Sequence, residues 1–144
     1  MPFIFSALLS GCKSLSVEKT ETFDFDREEN SYEINFPAES STSLYLFRLE
    51  FSGNTNKPNF EAISVKMDNQ LESKINIKAQ LESEELEIIS ESGIYTVGQK
   101  EEKLLTIDLE HNPEESNAAS ITFFIEGNLS GGTIFFEDLK LVGN

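Results

Sequence analysis

The chain of 144 residues has few of the side chains on which enzymes and metal centres most often depend. It contains one cysteine, one histidine and no tryptophan. The single imidazole, that of His111, makes neither a triad nor a zinc site, and the sequence has no G-x-S-x-G, P-loop or H-E-x-x-H motif. No pair of carboxylates is singled out by its spacing as a glycosidase pair. We therefore expect a protein that is not an enzyme.

Positive charge is also scarce. Eleven Lys and Arg residues stand against 26 Asp and Glu residues, which gives a formal net charge of −15. Such a body is repelled by phosphodiester backbones and by anionic lipids, so we expect no nucleic-acid partner. An acidic surface is compatible with divalent cations or with basic patches on another protein, but a solvated shell that keeps the protein soluble explains it more simply.

The N-terminal residues carry the only cysteine. An apolar run over residues 3–9, too short to span a bilayer, ends in Leu9-Ser10-Gly11-Cys12. These four residues resemble the lipobox of bacterial lipoproteins, which implies cleavage before Cys12 and a diacylglyceryl group on its thiol. A signal peptide normally has Lys or Arg before its apolar run, and none is present here. A late start codon would explain this, and so would a chance apolar terminus with one free thiol.

The lipobox resemblance divides the chain into a signal peptide (1–11), an acylated Cys12 with a mostly polar tether (12–20) and one domain (21–144). Two or more acyl chains hold a protein stably at a membrane, so the membrane partner would be bound through Cys12. Eight extended residues after Cys12 reach at most about 26 to 29 Å. The resemblance implies the bacterial cell envelope. In enteric bacteria an aspartate directly after the cysteine retains lipoproteins at the inner membrane. Here that position is Lys13, so the outer membrane is favoured. An acylated Cys12 leaves no thiol for a disulfide, so the domain depends on its core alone.

From residue 21 onward apolar and polar residues alternate with a period of two, which predicts strands with one buried face. We expect about ten short antiparallel strands in an all-β sandwich or barrel. Residues 44–51 are apolar on both faces for most of their length, which predicts a central strand covered on each side. A helical turn at residues 82–86 is the alternative within 71–90, although β-branched isoleucines favour strand there. The apolar residues predicted to share faces are Phe23 and Phe25; Tyr32, Ile34 and Phe36; Ile63, Val65 and Met67; Ile75, Ile77, Ala79 and Leu81; Leu105, Ile107 and Leu109; Ala119, Ile121, Phe123 and Ile125; Ile134 and Phe136.

The last quarter of the chain is more specific. Residues 120–127, a Gly-rich turn and residues 132–141, ending in Phe136-Glu137-Asp138-Leu139-Lys140-Leu141, resemble the closing hairpin of galactose-binding-like jelly rolls, which include many carbohydrate-binding modules. The resemblance implies a jelly-roll β-sandwich and a non-catalytic glycan-binding module. One scaffold hosts many functions, however, so it indicates fold more than ligand.

The same resemblance implies a structural Ca²⁺ that joins early-strand carboxylates, Asp24 and Asp26, to the terminal pair Glu137 and Asp138. Oxygen ligands suit calcium, but ion pairs with arginine or plain solvation explain these carboxylates as well. Strand parity alone turns Asp138 inward with Ile134 and Phe136. Either a bulge near Glu137 re-aims the side chains, or an inward Asp138 must find a cation or hydrogen bonds.

Sugar binding commonly uses exposed aromatic rings, and without tryptophan the tyrosines are the candidates. Tyr45 lies in the densest apolar strand and is predicted to be core. Tyr95, between Gly93 and Gly98, is the best exposed ligand-binding candidate, with Tyr32 as a second. The alternative for Tyr95 is an ordinary edge aromatic.

Two functions remain open at this point. The first is a lipid-anchored module that binds glycan or peptidoglycan-like polymers on a sheet face or at the loop rim. The second is a structural or interaction lipoprotein that docks an envelope protein and has no small-molecule pocket. A concave sheet bearing an aromatic and polar donors favours the first, and a convex, wholly charged sheet favours the second.

Overall fold

Ten strands make up the regular structure of this computed structural model, which describes residues 16–52, 60–111 and 118–143. Among these residues no helix is long and apolar enough to cross a bilayer. The strands are β1 (Ser16–Asp24), β2 (Tyr32–Phe36), β3 (Thr42–Ser52), β4 (Phe60–Asn69), β5 (Ile75–Ser83), β6 (Ile88–Glu91), β7 (Tyr95–Val97), β8 (Glu101–His111), β9 (Ala118–Leu129) and β10 (Gly132–Val142). The predicted all-β fold is confirmed, and residues 75–91 are strand and turn.

The strands form two sheets. The larger has the order β1-β3-β9-β5-β6, with β7 also paired to β5, and the smaller has the order β2-β10-β4-β8. The residues of one parity from each sheet face each other and make one core, which confirms the predicted two-residue alternation for most strands. At its centre Phe47 and Phe123 of the larger sheet meet Phe136 of the smaller, with ring centroids 5.1 and 5.3 Å from Phe136.

One pairing departs from the antiparallel prediction. Strand β1 runs parallel to β3, in register from Ser16 opposite Leu44 to Asp24 opposite Ser52. The chain passes from β1 in the larger sheet to β2 in the smaller and back to β3. Because each crossing reverses its direction, two crossings restore it, and β1 and β3 run the same way.

Strand β1 also shortens the predicted tether. The sequence predicts a tether through Thr20, but β1 begins at Ser16, so 16–20 belong to the sheet. Most side chains of 17–22 are exposed, and backbone pairing with β3 holds this segment. Apolar periodicity gives no sign of such pairing. The lipobox and Cys12 lie outside the described residues.

Two register breaks re-aim side chains. Between Glu137 and Lys140 the β10–β4 pairing shifts, and Asp138 adopts φ +52° there. This bulge turns the Asp138 carboxylate to the surface and lets Leu139 enter the core, so the first of the two alternatives for this position is confirmed. A second shift, between Glu82 and Ser83 opposite β9, buries Ala118 where the sequence predicted Ala119.

Candidate functional site

The four carboxylates predicted to hold calcium do not form a common site. Asp24 Oδ1 accepts the Asp26 N–H at 2.9 Å, and Arg27 Nε lies 3.8 Å from Asp24 Oδ2. Asp138 pairs with Lys140 at 3.2 Å. Within the described ranges no three of Asp24, Asp26, Glu137 and Asp138 bring ligand atoms together.

The segments that carry Asp24 and Asp138 do meet, but the uncharged residue Asn30 joins them. Asn30 is 2% exposed, and its side-chain amide donates to the Asp24 carbonyl and accepts the Asp24 N–H, at 3.2 and 3.1 Å. Its backbone carbonyl accepts the Leu139 N–H at 2.9 Å, and Ser31 Oγ accepts the Asp138 N–H at 3.0 Å. Asn30 and Ser31 therefore make the junction that the resemblance assigned to a cation.

A different acidic group lies on the outer face of the smaller sheet. Asp68, Glu102 and Glu137, on three neighbouring strands, place carboxylate oxygens within 4.8 Å of one another, and Glu137 is the predicted ligand that belongs to it. Lys66 Nζ lies 3.4 Å from Glu102, and Gln70 Nε2 donates to Asp68 at 2.6 Å. Lys66 offsets part of the negative charge and Gln70 satisfies one carboxylate oxygen, so the group is a partly exposed acidic surface.

Tyr32 ties the sheets together instead of presenting its ring to a ligand. Its hydroxyl donates to the Thr22 carbonyl of β1 at 2.6 Å, and its ring stands edge-on to Phe47. Burial raises the pKa of Tyr32 to about 12, because the phenolate would lose its hydration there. The ring of Tyr32 is partly buried against the core, and its ligand role stays a prediction.

Tyr95 closes an edge of the smaller sheet. It lies on β7, its ring packs against the core, and its hydroxyl accepts the Asp108 N–H of β8 at 3.0 Å. A free N–H on an edge strand invites pairing with another chain, and the hydroxyl satisfies this one. The edge-aromatic alternative therefore describes Tyr95 better than the ligand role does. Tyr45 is buried as predicted and stands edge-on to Phe36.

A groove of about 250 Å³ opens on the outer face of the larger sheet. Its floor is the partly exposed ring of Phe124 on β9, flanked by Leu44 on β3 and by Ile94, which is 72% exposed. Polar groups line it as well: Asn76, Lys78 and Glu126. An apolar floor with a few convergent polar groups is the usual composition of a ligand site.

Register determines how these groups meet. Phe124 lies between Leu46 of β3 and Lys78 of β5, and Glu126 lies between Leu44 and Asn76 one row away. Lys78 Nζ sits 5.3 Å from the Phe124 ring centroid and 3.7 Å from a Glu91 carboxylate oxygen. The ammonium is thus held over the ring by a cation–π contact and an ion pair. Thr96 Oγ1 donates to Asn76 Oδ1 at 2.7 Å, which orients that amide.

Sequence reasoning missed this groove, although one signal pointed to it. In residues 121–125, Ile121, Phe123 and Ile125 share the core parity, which leaves Phe124 on the solvent side with Thr122 and Glu126. An aromatic on the polar parity of a strand is a candidate for binding. Leu44 is a similar case. The sequence predicts that β3 is covered on both sides, but the described residues form only two layers. Leu44, on the outer face of β3, therefore lines the groove instead of packing against a third layer.

A buried polar cluster adjoins the groove on the same face. Glu82 of β5 is 4% exposed, and its Oε1 accepts hydrogen bonds from Thr122 at 2.7 Å and from Ser120 at 3.2 Å. Its Oε2 accepts one from Gln80 at 2.8 Å. A buried carboxylate is tolerated only where its oxygens are paired in this way.

Arg48 completes this cluster and links it to β1. Arg48 Nε lies 3.4 Å from Glu82 Oε1, and Arg48 Nη1 donates to Glu18 of β1 at 2.9 Å. Charges and hydroxyls from four adjacent strands are therefore satisfied by one another. The interior part of this network is buried and Glu18 is half-exposed, and the hydrogen bonds and ion pairs of the network help to fix the strands that carry Phe124 and Leu44.

The groove brings an accessible aromatic and several polar groups together in one pocket. A second pocket, of about 220 Å³, is lined by Phe25 and by the charged side chains of Asp24, Arg27, Glu28 and Lys140. No protein-family model matches the chain, and no curated protein or solved structure matches it either. Its function therefore has to be inferred from its own residues.

Proposed function

We propose that the protein is a non-catalytic binding module, anchored by acyl chains on Cys12 to a bacterial envelope membrane, that binds a glycan in the groove over Phe124. The observation that carries the glycan part is the groove itself. It combines an accessible aromatic, two aliphatic walls and three polar side chains on the solvent face of a rigid sheet.

Each part of the groove suits one part of a sugar. A pyranose presents a C–H face to an apolar surface, and Leu44, Ile94 and the part of the Phe124 ring that Lys78 leaves uncovered provide that surface. Its hydroxyls need donors and acceptors around the rim, which Asn76, Lys78 and Glu126 supply. The volume of about 250 Å³ is below the roughly 300 to 1,000 Å³ of pockets that enclose a drug-sized ligand. The groove therefore fits one residue of a polymer better than a whole small molecule.

Two further features support the wider proposal. Consecutive strands β2 to β5 alternate between the sheets, and the orders β2-β10-β4-β8 and β3-β9-β5-β6 have the interleaving expected of a double Greek key, which supports the jelly-roll assignment. The residues Leu9-Ser10-Gly11-Cys12 support acylation and hence the envelope location, with the outer membrane favoured.

A glycan array tests the ligand class. The full chain carrying Cys12→Ser, which prevents acylation, is applied to neutral glycans and peptidoglycan fragments, and hits are titrated by calorimetry. We expect binding to at least one polymer and an at least tenfold loss in Phe124→Ala, because the stacking surface is removed.

Phe135→Ala is the matched control, since Phe135 is also a partly exposed aromatic, but on the outer face of the smaller sheet. It should bind as the parent does. An array without hits, or equal affinity for the parent and Phe124→Ala, contradicts the proposal.

A further inference from the structure

The turn that joins β5 to β6 contains a leucine in an unfavourable backbone conformation. The Ser83 N–H donates to the Glu87 carbonyl and the Leu86 N–H donates to the Ser83 carbonyl, both at 2.9 Å. This closes a tight turn in which Leu86 has φ +64°. Glycine and asparagine adopt that region readily, whereas a bulky side chain there is uncommon. Folding alone favours glycine at position 86.

The side chain of Leu86 does not pack against the core. Leu86 and Ile88 are each 56% exposed, and neither belongs to the core cluster or to the apolar residues packed against it. Single exposed apolar residues are common and need no explanation. Two close together are a different case here, because the turn requires a positive φ at position 86 that glycine adopts more readily, and a bulky apolar residue kept there points to a use for its side chain.

The surroundings of this tip indicate what kind of surface it meets. Glu84, Glu85 and Glu87 are all exposed, and residues 83–91 contain no Lys or Arg. Anionic headgroups repel such a tip, and carboxylates are costly in hydrocarbon, so a lipid surface is a poor match. A protein surface with an apolar pocket and a basic rim complements both the leucine and isoleucine and the glutamates around them.

We propose that the tip formed by residues 84–88 is a docking element that inserts Leu86 and Ile88 into an apolar pocket, rimmed by Lys and Arg, on a partner protein. This contact is separate from the groove over Phe124 and does not depend on a glycan being its ligand. The tip would dock through its apolar side chains, while the glutamates select partners of opposite charge.

Site-specific photocrosslinking tests the proposal on the full chain in its own host. The photoreactive residue p-benzoylphenylalanine replaces Ile88, and in the control it replaces Leu104, which is 69% exposed on the smaller sheet. We expect a discrete protein adduct from position 88 and none from position 104. Mass spectrometry of the adduct should map to an apolar site with Lys or Arg around it. Adducts to lipid only, equal adducts from both positions or no adduct at all would overturn the proposal.

Leu86→Gly is the decisive second variant. It removes the apolar side chain and relieves the strain, so we expect a melting temperature equal to or above that of the parent and an at least tenfold weaker adduct from position 88. A lowered melting temperature would show that Leu86 serves the fold, and an undiminished adduct would show that it does not dock; either result refutes the idea. Phe124→Ala should leave the adduct unchanged, which separates this test from that of the glycan groove.

Discussion

The outer faces of the two sheets differ far more than the inner faces do. On the larger sheet Phe124 lies between Leu46 and Lys78, beside a cluster of paired buried polar groups. On the smaller sheet the comparable aromatic, Phe135, lies between Glu33 and Asp68 in an exposed acidic surface. Both inner faces are constrained by the same need to bury apolar side chains. The outer faces are free of that constraint, so their difference carries the information about function.

The largest expected effect comes from breaking the buried cluster. Glu82→Ala leaves Arg48 without its interior partner and removes the acceptor of Thr122, Ser120 and Gln80, so we expect a loss of about 3 kcal/mol in the free energy of unfolding. Glu102→Ala, on the acidic face, should change that free energy by about 0.5 kcal/mol or less. Urea unfolding at neutral pH measures both. Losses of similar size would mean that the two faces do not differ energetically.

An intermediate effect is expected at the hydroxyl that ties the smaller sheet to β1. Tyr32→Phe removes the 2.6 Å hydrogen bond to Thr22, at a cost of about 1 kcal/mol. The pKa of Tyr32 is raised from 10.0 to about 12, so the folded state holds its proton while the unfolded state loses it. Stability from this group is therefore complete below pH 10 and is lost as pH rises through 12.

Comparing the parent with Tyr32→Phe from pH 9 to 12 isolates this contribution. The stability of the parent should fall more steeply over that range, and the difference between the two proteins should shrink with pH. Parallel profiles would mean that the Tyr32 hydroxyl does not titrate differently in the two states. Tyr95→Phe, which loses a hydroxyl acceptor for Asp108 at the other edge, is the control for the loss of one hydrogen bond.

The smallest effect is expected on the acidic face. Glu137→Gln removes one of three neighbouring negative charges, so the free energy of unfolding measured in urea should rise slightly at low salt, by about 0.3 kcal/mol. The gain should vanish in 0.5 M NaCl, because exposed charges are screened there. Glu33→Gln, on the same face but outside the group, is the control. A loss of stability in Glu137→Gln would show that the attraction of Glu137 to nearby cations outweighs its repulsion by Asp68 and Glu102.

The inner faces could be predicted from the sequence because alternation reports burial directly. The Asp138 bulge was also foreseeable, since an acidic residue on a core parity has to be re-aimed or paired. The parallel pairing of β1 with β3 could not be predicted, because backbone hydrogen bonds leave no pattern in exposed side chains. The groove depends on register, which brings Leu44, Phe124 and Asn76 together from three strands. The calcium ligands were implied by a resemblance and stay a prediction, and the junction made by Asn30 leaves no pattern in the sequence.

The parallel alignment of β1 with β3 has a mechanical consequence. The strand begins at Ser16, on the side of the chain that leads back to Cys12, and nine consecutive residues are in register with β3. A pull on Ser16 directed along the strand would load these backbone bonds in shear, so that they share the force instead of opening one after another. Such a pull would have to break several hydrogen bonds at once, whereas a pull across the strand would open them singly.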